Sequence, residues 1–136
     1  MMISTKGRYA MRVMIDLAEH GGDGYVAMKE VAERQQISLK YLEKILPALV
    51  AEGLVEGVHG KGGGYRLTRK PEEYTAGEIL RVAEGELVPV ACMLCGAEPC
   101  KRAAECRTLP MWTKLGTVVG DYLDGVTVAD LINGKA

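Results

Sequence analysis

Between Thr5 and His20, the apolar residues Ala10, Val13, Met14, Leu17 and Ala18 recur at the three- and four-residue spacing of one helix face. Ser4 and Thr5 are capping residues at its start, and Gly21-Gly22 closes it, so a first helix is predicted over about 5–20. The stretch Tyr25–Met28 follows a glycine-rich turn and reads as a short extended piece. "MKEVAERQQ" predicts a short second helix with Val31 and Ala32 facing inward. After Ile37, Ser38 caps a third helix on which Leu39, Leu42, Ile45, Leu46, Leu49 and Val50 form one stripe. Gly53 ends that helix, expected over about 39–52, and Pro47 in its interior predicts a bend near 45–47.

Two short apolar runs, Leu54–Val58 and Tyr65–Thr68, flank a turn with four glycines among six residues, the pattern of a β-hairpin. "TAGEILRVAEG" predicts a fourth helix with a capping box of Thr75 and Glu78 and a stop at Gly85. A long helix follows in "TLPMWTKLGTVVGDYLDG", with Pro110 near its start, Gly125 behind it, and Met111, Leu115, Val118, Val119, Tyr122 and Leu123 on one face. "TVADLI" is a last short turn or helix. Three helices followed by a two-stranded hairpin make a winged helix-turn-helix in a mainly α fold. The chain divides into a DNA-binding domain over 1–74 and a cysteine loop with dimerisation helices over 75–136.

Composition supports a globular chain: 136 residues, nearly half apolar, suffice for one buried core. The N-terminus is charged and carries no apolar leader, and no apolar run reaches the roughly 20 residues that span a bilayer. A cytoplasmic protein with reduced thiols and no membrane partner is expected. The net charge of -1 conceals an asymmetry, because residues 1–70 hold 11 Lys/Arg against 8 Asp/Glu and residues 71–136 hold 6 against 10. A double-stranded DNA partner therefore suits the first half. An enzyme is not expected: His20 and His59 are the only histidines, no nucleophile–base pair is present, and His20 suits a helix C-terminus.

The second and third helices are joined so tightly that the third can present its N-terminal end to a major groove. Ser38 and Tyr41 can hold phosphate, Lys40 and Lys44 add charge, and Glu43 can accept from a cytosine amino group. The competing reading is a solvated helix face. In the hairpin turn, Gly62 and Gly63 permit close backbone approach, His59 and Lys61 can enter a minor groove or hold phosphate, and Tyr65 follows. A phosphate-binding P-loop is excluded because Gly62, and not Ser or Thr, follows Lys61. Thr5, Lys6 and Arg8 can add phosphate contacts at the start of the first helix.

All four cysteines, Cys92, Cys95, Cys100 and Cys106, lie in "VACMLCGAEPCKRAAECRT", residues 90–108. Disulfides would close very short loops and restrict the unfolded chain little. Zinc suits Cys92 and Cys95 as a half-site, and iron–sulfur clusters tolerate irregular spacing, so spacing leaves the two even. A metal-free thiol switch is the remaining reading. Lys101, Arg102 and Arg107 flank the thiols, and the start of the long helix is electropositive; both effects favour thiolates. On the long helix, Gly116 and Gly120 would let two copies approach closely, with Met111, Trp112, Leu115, Val119 and Leu123 supplying apolar area.

"MMISTKGRYAMRVMIDLA", "ISLKYLEKILPALVAEGLV", "GKGGGYRLTR" and "YTAGEIL" followed by "RVAEG" resemble the Rrf-type winged-helix transcription regulators, the IscR/NsrR/CymR group, over nearly the whole chain. The resemblance implies a homodimeric bacterial repressor or activator with the third helix in a major groove, the wing in a minor groove and the long helix paired with its mate. It also implies, for several members, an iron–sulfur cluster (2Fe-2S or 4Fe-4S). Cluster-bearing members have three cysteines with five residues between each and the next; Cys100, Cys106 and the following Trp112 match, but Leu94 stands where the first is expected. Leu109 stands where one branch has a histidine ligand, and Arg8 where another has an acidic ligand from the partner. By resemblance, an all-cysteine set drawn from Cys92, Cys95, Cys100 and Cys106 replaces them. Ligation would order the loop and move the two reading heads, whose half-sites lie about 34 Å apart, with a coupling of about 1–3 kcal/mol. The alternative is a small iron–sulfur or zinc protein without a DNA role, or a metal-free thiol-switch regulator.

Overall fold

The computed structural model describes residues 3–22, 24–94, 96–98 and 100–136. Six α-helices and a two-stranded sheet are described: α1 (Thr5–His20), α2 (Met28–Gln35), α3 (Leu39–Ala51), β1 (Val55–Val58), β2 (Gly64–Leu67), α4 (Ala76–Glu84), α5 (Leu109–Asp124) and α6 (Val128–Ile132). The predicted helices appear within one or two residues of their expected ends. Pro47 does not interrupt α3, which runs unbroken from Leu39 to Ala51. Pro47, and Glu43 whose carbonyl loses its intrahelical donor, are both exposed residues.

The strands pair antiparallel, Val55 opposite Leu67 and Val58 opposite Gly64. The extended piece predicted at Tyr25–Met28 joins them through Val26, which exchanges backbone hydrogen bonds with Tyr65 at 2.8 and 2.9 Å. Close approach explains Gly64: a Cβ there would sit 2.2 Å from the Val26 carbonyl oxygen, and its φ is +154°.

One apolar core runs through the chain. Ala10, Val13, Met14 and Leu17 of α1 meet Val31, Leu42, Ile45, Leu46, Leu49 and Val55, and the same cluster takes in Ile79 and Ala83 of α4 and Val128 of α6. α4 and α6 bury their apolar faces in the helix-turn-helix core. Backbone bonds stitch this closure: Ala76 N–H donates to Val126 O at 2.8 Å and Val128 N–H to Tyr74 O at 3.0 Å. Thr127 and Asp130 form a reciprocal capping box on α6.

The capping box expected at α4 forms only by half. Thr75 Oγ1 accepts from Glu78 N–H at 3.1 Å, but the Glu78 carboxylate is taken by Arg69 at 2.7 and 3.2 Å. Fully buried Tyr74 ties the hairpin to this corner: its hydroxyl donates to Leu54 O at 2.7 Å and accepts from Thr68 and Arg69 N–H at 2.8 and 2.9 Å.

Glu84, the last residue of α4, reaches the opposite end of the molecule's central helix. Its Oε1 accepts from Ser4 N–H, Ser4 Oγ–H and Gly7 N–H at 2.8, 2.6 and 2.9 Å, satisfying donors that the first turn of α1 leaves open. Gly7 makes room, since a Cβ there would lie 2.3 Å from that oxygen. Burial pushes the Glu84 carboxyl up, but hydrogen bonds from Ser4 and Gly7 and the charge of Lys6 outweigh it and hold the pKa below its ordinary value. Stability from Glu84 is thus present above its unfolded pKa and lost as pH falls through the lower folded one. Glu84→Gln is expected to cost about 1–2 kcal/mol in urea unfolding at neutral pH. The deficit should shrink in acid titrations below about pH 4, where the wild type loses the same contribution.

Candidate nucleic-acid interface and cysteine loop

The second and third helices are joined by Gln36 and Ile37, with Gln36 in the left-handed region at φ 55°. Ser38 then caps α3 by accepting from Tyr41 N–H at 3.1 Å, so its oxygen serves the helix and its hydroxyl proton remains for an outside acceptor. Lys40, Glu43 and Lys44 stand exposed on the outer face of α3. Tyr41 is half-buried, its ring edge-on to Tyr9 with centroids 5.3 Å apart.

Residues 59–63 close the wing. Gly60 and Gly62 hold φ of 97° and 76°, and Gly63 N–H donates to Gly60 O at 3.0 Å, which leaves His59 and Lys61 exposed at the tip. Tyr65 lies back from the tip, in the sheet, with its ring over Gly57: a Cβ on Gly57 would lie 2.7 Å from it. Its surface goes to packing. At the start of α1, Lys6 and Arg8 are exposed, and Arg8 donates to Thr5 Oγ1 at 3.0 Å.

The structure sorts the basic residues in a way that charge counting missed. Arg12 bonds Gln35, Arg34 bonds Asp16, Arg66 bonds Glu56 and Arg69 bonds Glu78. Among the described residues the side chains of Lys40, Lys44 and Lys61 have no ion pair or hydrogen bond, nor does that of Glu43. Free cations at the third helix and the wing are what a phosphate backbone needs. At the centre of the Arg34 contact is Asp16, a carboxylate buried on α1 beside the apolar stripe.

The thiols lie in the segment between α4 and α5. Cys92 sits in a 3-10 turn, Ala91–Met93, and is exposed, as is Cys100; Cys106 is half-buried. Cys95 lies outside the described residues. Among the described residues no three His, Cys, Asp or Glu side chains are grouped to hold a metal ion. Cys106 Sγ lies 3.5 Å from Thr108 Oγ1, just before α5. Hydrogen bonds from the Thr108 hydroxyl and amide, with help from the Leu109 amide and the Arg102 charge, outweigh burial and hold the Cys106 thiol below its ordinary pKa.

None of the sixteen described residues of α5 is buried. Met111, Leu115, Val118 and Tyr122 are 53, 42, 52 and 59% exposed, at one-turn spacing. Gly116 and Gly120 point the other way, into their own chain. A Cβ at Gly116 would lie 3.2 Å from Pro89, and one at Gly120 would lie 3.5 Å from Arg81. Arg81 in turn holds Asp124 at 2.5 and 3.2 Å, fastening the end of α5 to α4.

A family model described as Rrf2, an iron-dependent transcriptional regulator, matches residues 3–134. The chain belongs to the Rrf2 family. As an Rrf2 member it is a DNA-binding transcriptional regulator of the winged-helix type. It is 37% identical over 132 residues to the HTH-type transcriptional regulator IscR of Aliivibrio salmonicida, spanning 97% of this chain and 77% of that one. Among solved structures it resembles CymR (YrzC), the global cysteine regulator of B. subtilis, with TM-score 0.79 and 38% identity over 100% of this chain and 99% of that one. T. potens IscR superposes with TM-score 0.77 at 35% identity, covering 100% and 89%. No helix among the described residues of this Rrf2 protein is long and apolar enough to cross a membrane.

If the free lysines carry the phosphate contacts, Lys44→Ala and Lys61→Ala should each weaken duplex binding across sequences and lower the slope of log affinity against log salt by about 1. Lys114→Ala, on exposed α5, should leave both unchanged in the same fluorescence-anisotropy titration.

Proposed function

We propose that this regulator reads duplex DNA as a homodimer and that an iron–sulfur cluster held by the 92–106 cysteines sets its affinity. What supports the reading is the position of the cysteine segment. It leaves α4 one residue after Glu84, which caps α1, and it enters α5, whose apolar face is open. Any change in that segment acts at once on the reading head and on the pairing surface.

In this reading Ser38, Lys40, Tyr41 and Lys44 of α3 contact the major groove and its phosphates, and Glu43 selects a base-edge donor. His59, Lys61, Gly62 and Gly63 bring the wing to a minor groove, while Thr5, Lys6 and Arg8 hold flanking phosphate. Tyr65 braces the wing from within the sheet. On α5, Met111, Leu115, Val118 and Tyr122 pair with a second copy, and Trp112, Val119 and Leu123, half-buried, form the border of that face. The glycines Gly116 and Gly120 serve the intrachain side of the helix.

The donor set suits iron: thiolates are the ligands of iron–sulfur clusters, and Cys106 is already disposed to deprotonate. The described thiols are not gathered, so Cys92, Cys95, Cys100 and Cys106 would hold a cluster only once the segment closes. Bound there, it would supply a group sensitive to oxidants, nitric oxide and iron supply. The protein's part is to lower the Cys106 thiol through Thr108 and to pass the ordering of the segment to Glu84 and α5. A second reading, a metal-free thiol switch, is favoured by the same exposed, ungrouped thiols, and a solved relative from Staphylococcus aureus is an oxidized form of CymR.

Anaerobically purified protein is expected to absorb in the visible and to contain iron and sulfide, and Cys100→Ala and Cys106→Ala should each abolish both. Colourless, iron-free wild-type protein whose DNA binding responds to a thiol oxidant would establish the switch instead. Leu115→Glu with Val118→Glu should yield monomers in analytical ultracentrifugation, with operator affinity reduced about a hundredfold as the linked second head is lost.

A further inference from the structure

A stripe along α1 clasps the helix-turn-helix from behind. Tyr9, Arg12, Asp16 and His20 lie three, four and four residues apart on one side of the helix. The Asp16 side chain is wholly buried, and its two oxygens take a fork from Arg34 at 2.7 and 3.1 Å plus Gln35 Nε2 at 2.9 Å. His20 stands 3.7 Å away. Gln35 is the last residue of α2, and it is held a second time. Arg12 Nε donates to Gln35 Oε1 at 3.1 Å, and Arg12 Nη2 donates to the Gln35 main-chain oxygen. That carbonyl belongs to the last turn of α2, which has no helical donor to offer it, so Arg12 both satisfies it and faces the negative end of the helix. Arg12 also lies over the Tyr9 ring at 5.3 Å, and Tyr9 meets Tyr41 near the start of α3.

The clasped residues flank the turn. Gln36 holds a left-handed backbone at φ 55°, which a side chain with a Cβ adopts at a cost. Ile37 N–H returns to Ala32 O at 3.1 Å, and Ser38 starts α3 two residues on. An ion pair with one member buried contributes little net stability, because desolvation offsets the attraction. Its two-pronged geometry nonetheless admits one arrangement of the partners.

We propose that Asp16 is a positioning residue for sequence reading: it seats Arg34 and Gln35, and through Gln35, Arg12 and Tyr9 it sets the angle at which α3 presents Lys40, Glu43 and Lys44 to DNA. Burial raises the Asp16 carboxyl, but the bonds from Arg34 and Gln35 and the Arg34 charge outweigh it and keep the group ionised, as the clasp requires. The inference rests on α3 being the base reader. It adds that reading accuracy, as distinct from DNA attraction, depends on residues that touch no DNA.

The test uses the full chain, a duplex selected by the wild type from a randomised pool, and a scrambled duplex of equal length. Asp16→Asn keeps the side-chain shape and turns an acceptor toward Arg34 into a donor. The apolar contacts of Ala10, Val13 and Leu17 remain to hold α1 in place. The variant should bind the scrambled duplex with wild-type affinity and salt slope, while its preference for the selected duplex falls about tenfold, the equivalent of one mismatched base pair. Arg12→Met, which frees the Gln35 carbonyl without touching Asp16, should reproduce much of that loss, and the double variant should lose less than the product of the two. It also decides the matter should Asp16→Asn fail to fold. Unchanged preference in the folded variants, or an equal drop on both duplexes, overturns the positioning role. A wild type that selects no sequence at all removes α3 as the base reader, and the proposal with it.

Discussion

Three unlike contacts on one helix organise this molecule. The first turn of α1 is capped by Glu84 from the distant end of α4, its apolar side fills the core, and its polar stripe grips the turn between α2 and α3. Most of the stability of a helix such as α1 comes from tertiary packing. Here the start, the apolar side and the polar stripe each have a distinct partner, and α3 and the thiol-bearing segment are both referred to the same rod. Three hydrogen bonds to one carboxylate oxygen of Glu84 join the end of α4 to the start of α1.

The division of labour between arginine and lysine follows from their chemistry. Guanidinium groups form planar, two-pronged bonds, and those of Arg34, Arg69, Arg81 and Arg12 are spent within the chain, on Asp16, Glu78 and Asp124 and on a helix-terminal carbonyl. The lysines of α3 and the wing, compact and strongly hydrated, are left at the surface, where phosphate oxygens can replace water at low cost. A modest net charge in the first seventy residues thus understates how much free positive charge its outer face presents.

The long helix is built the opposite way. It is held to the chain by small residues and one ion pair, with Gly116 under Pro89 and Asp124 on Arg81, while its larger apolar side chains face outward. If, as proposed, a second copy covers those four side chains, each Å² of apolar surface removed from water contributes about 25 cal/mol.

The helices, the hairpin and the glycine-rich wing were legible in the order of residues, because periodicity, caps and breakers act over a turn or two of chain. So was the resemblance that named the family, and the gathering of all four thiols in one loop. Long-range choices were not legible. Glu78 has the spacing of a capping box, yet its carboxylate goes to Arg69, since a charged fork outcompetes a backbone amide. Gly116 and Gly120 have the spacing of a close helix pair, but which neighbour fills the gap depends on the path of residues 86–89. Asp16, Glu84 and Gly7 looked like ordinary helix residues until folding set an arginine, a helix terminus and a carboxylate against them. Local pattern decides which element forms; which of several partners each polar group meets is decided only when the elements close on one core.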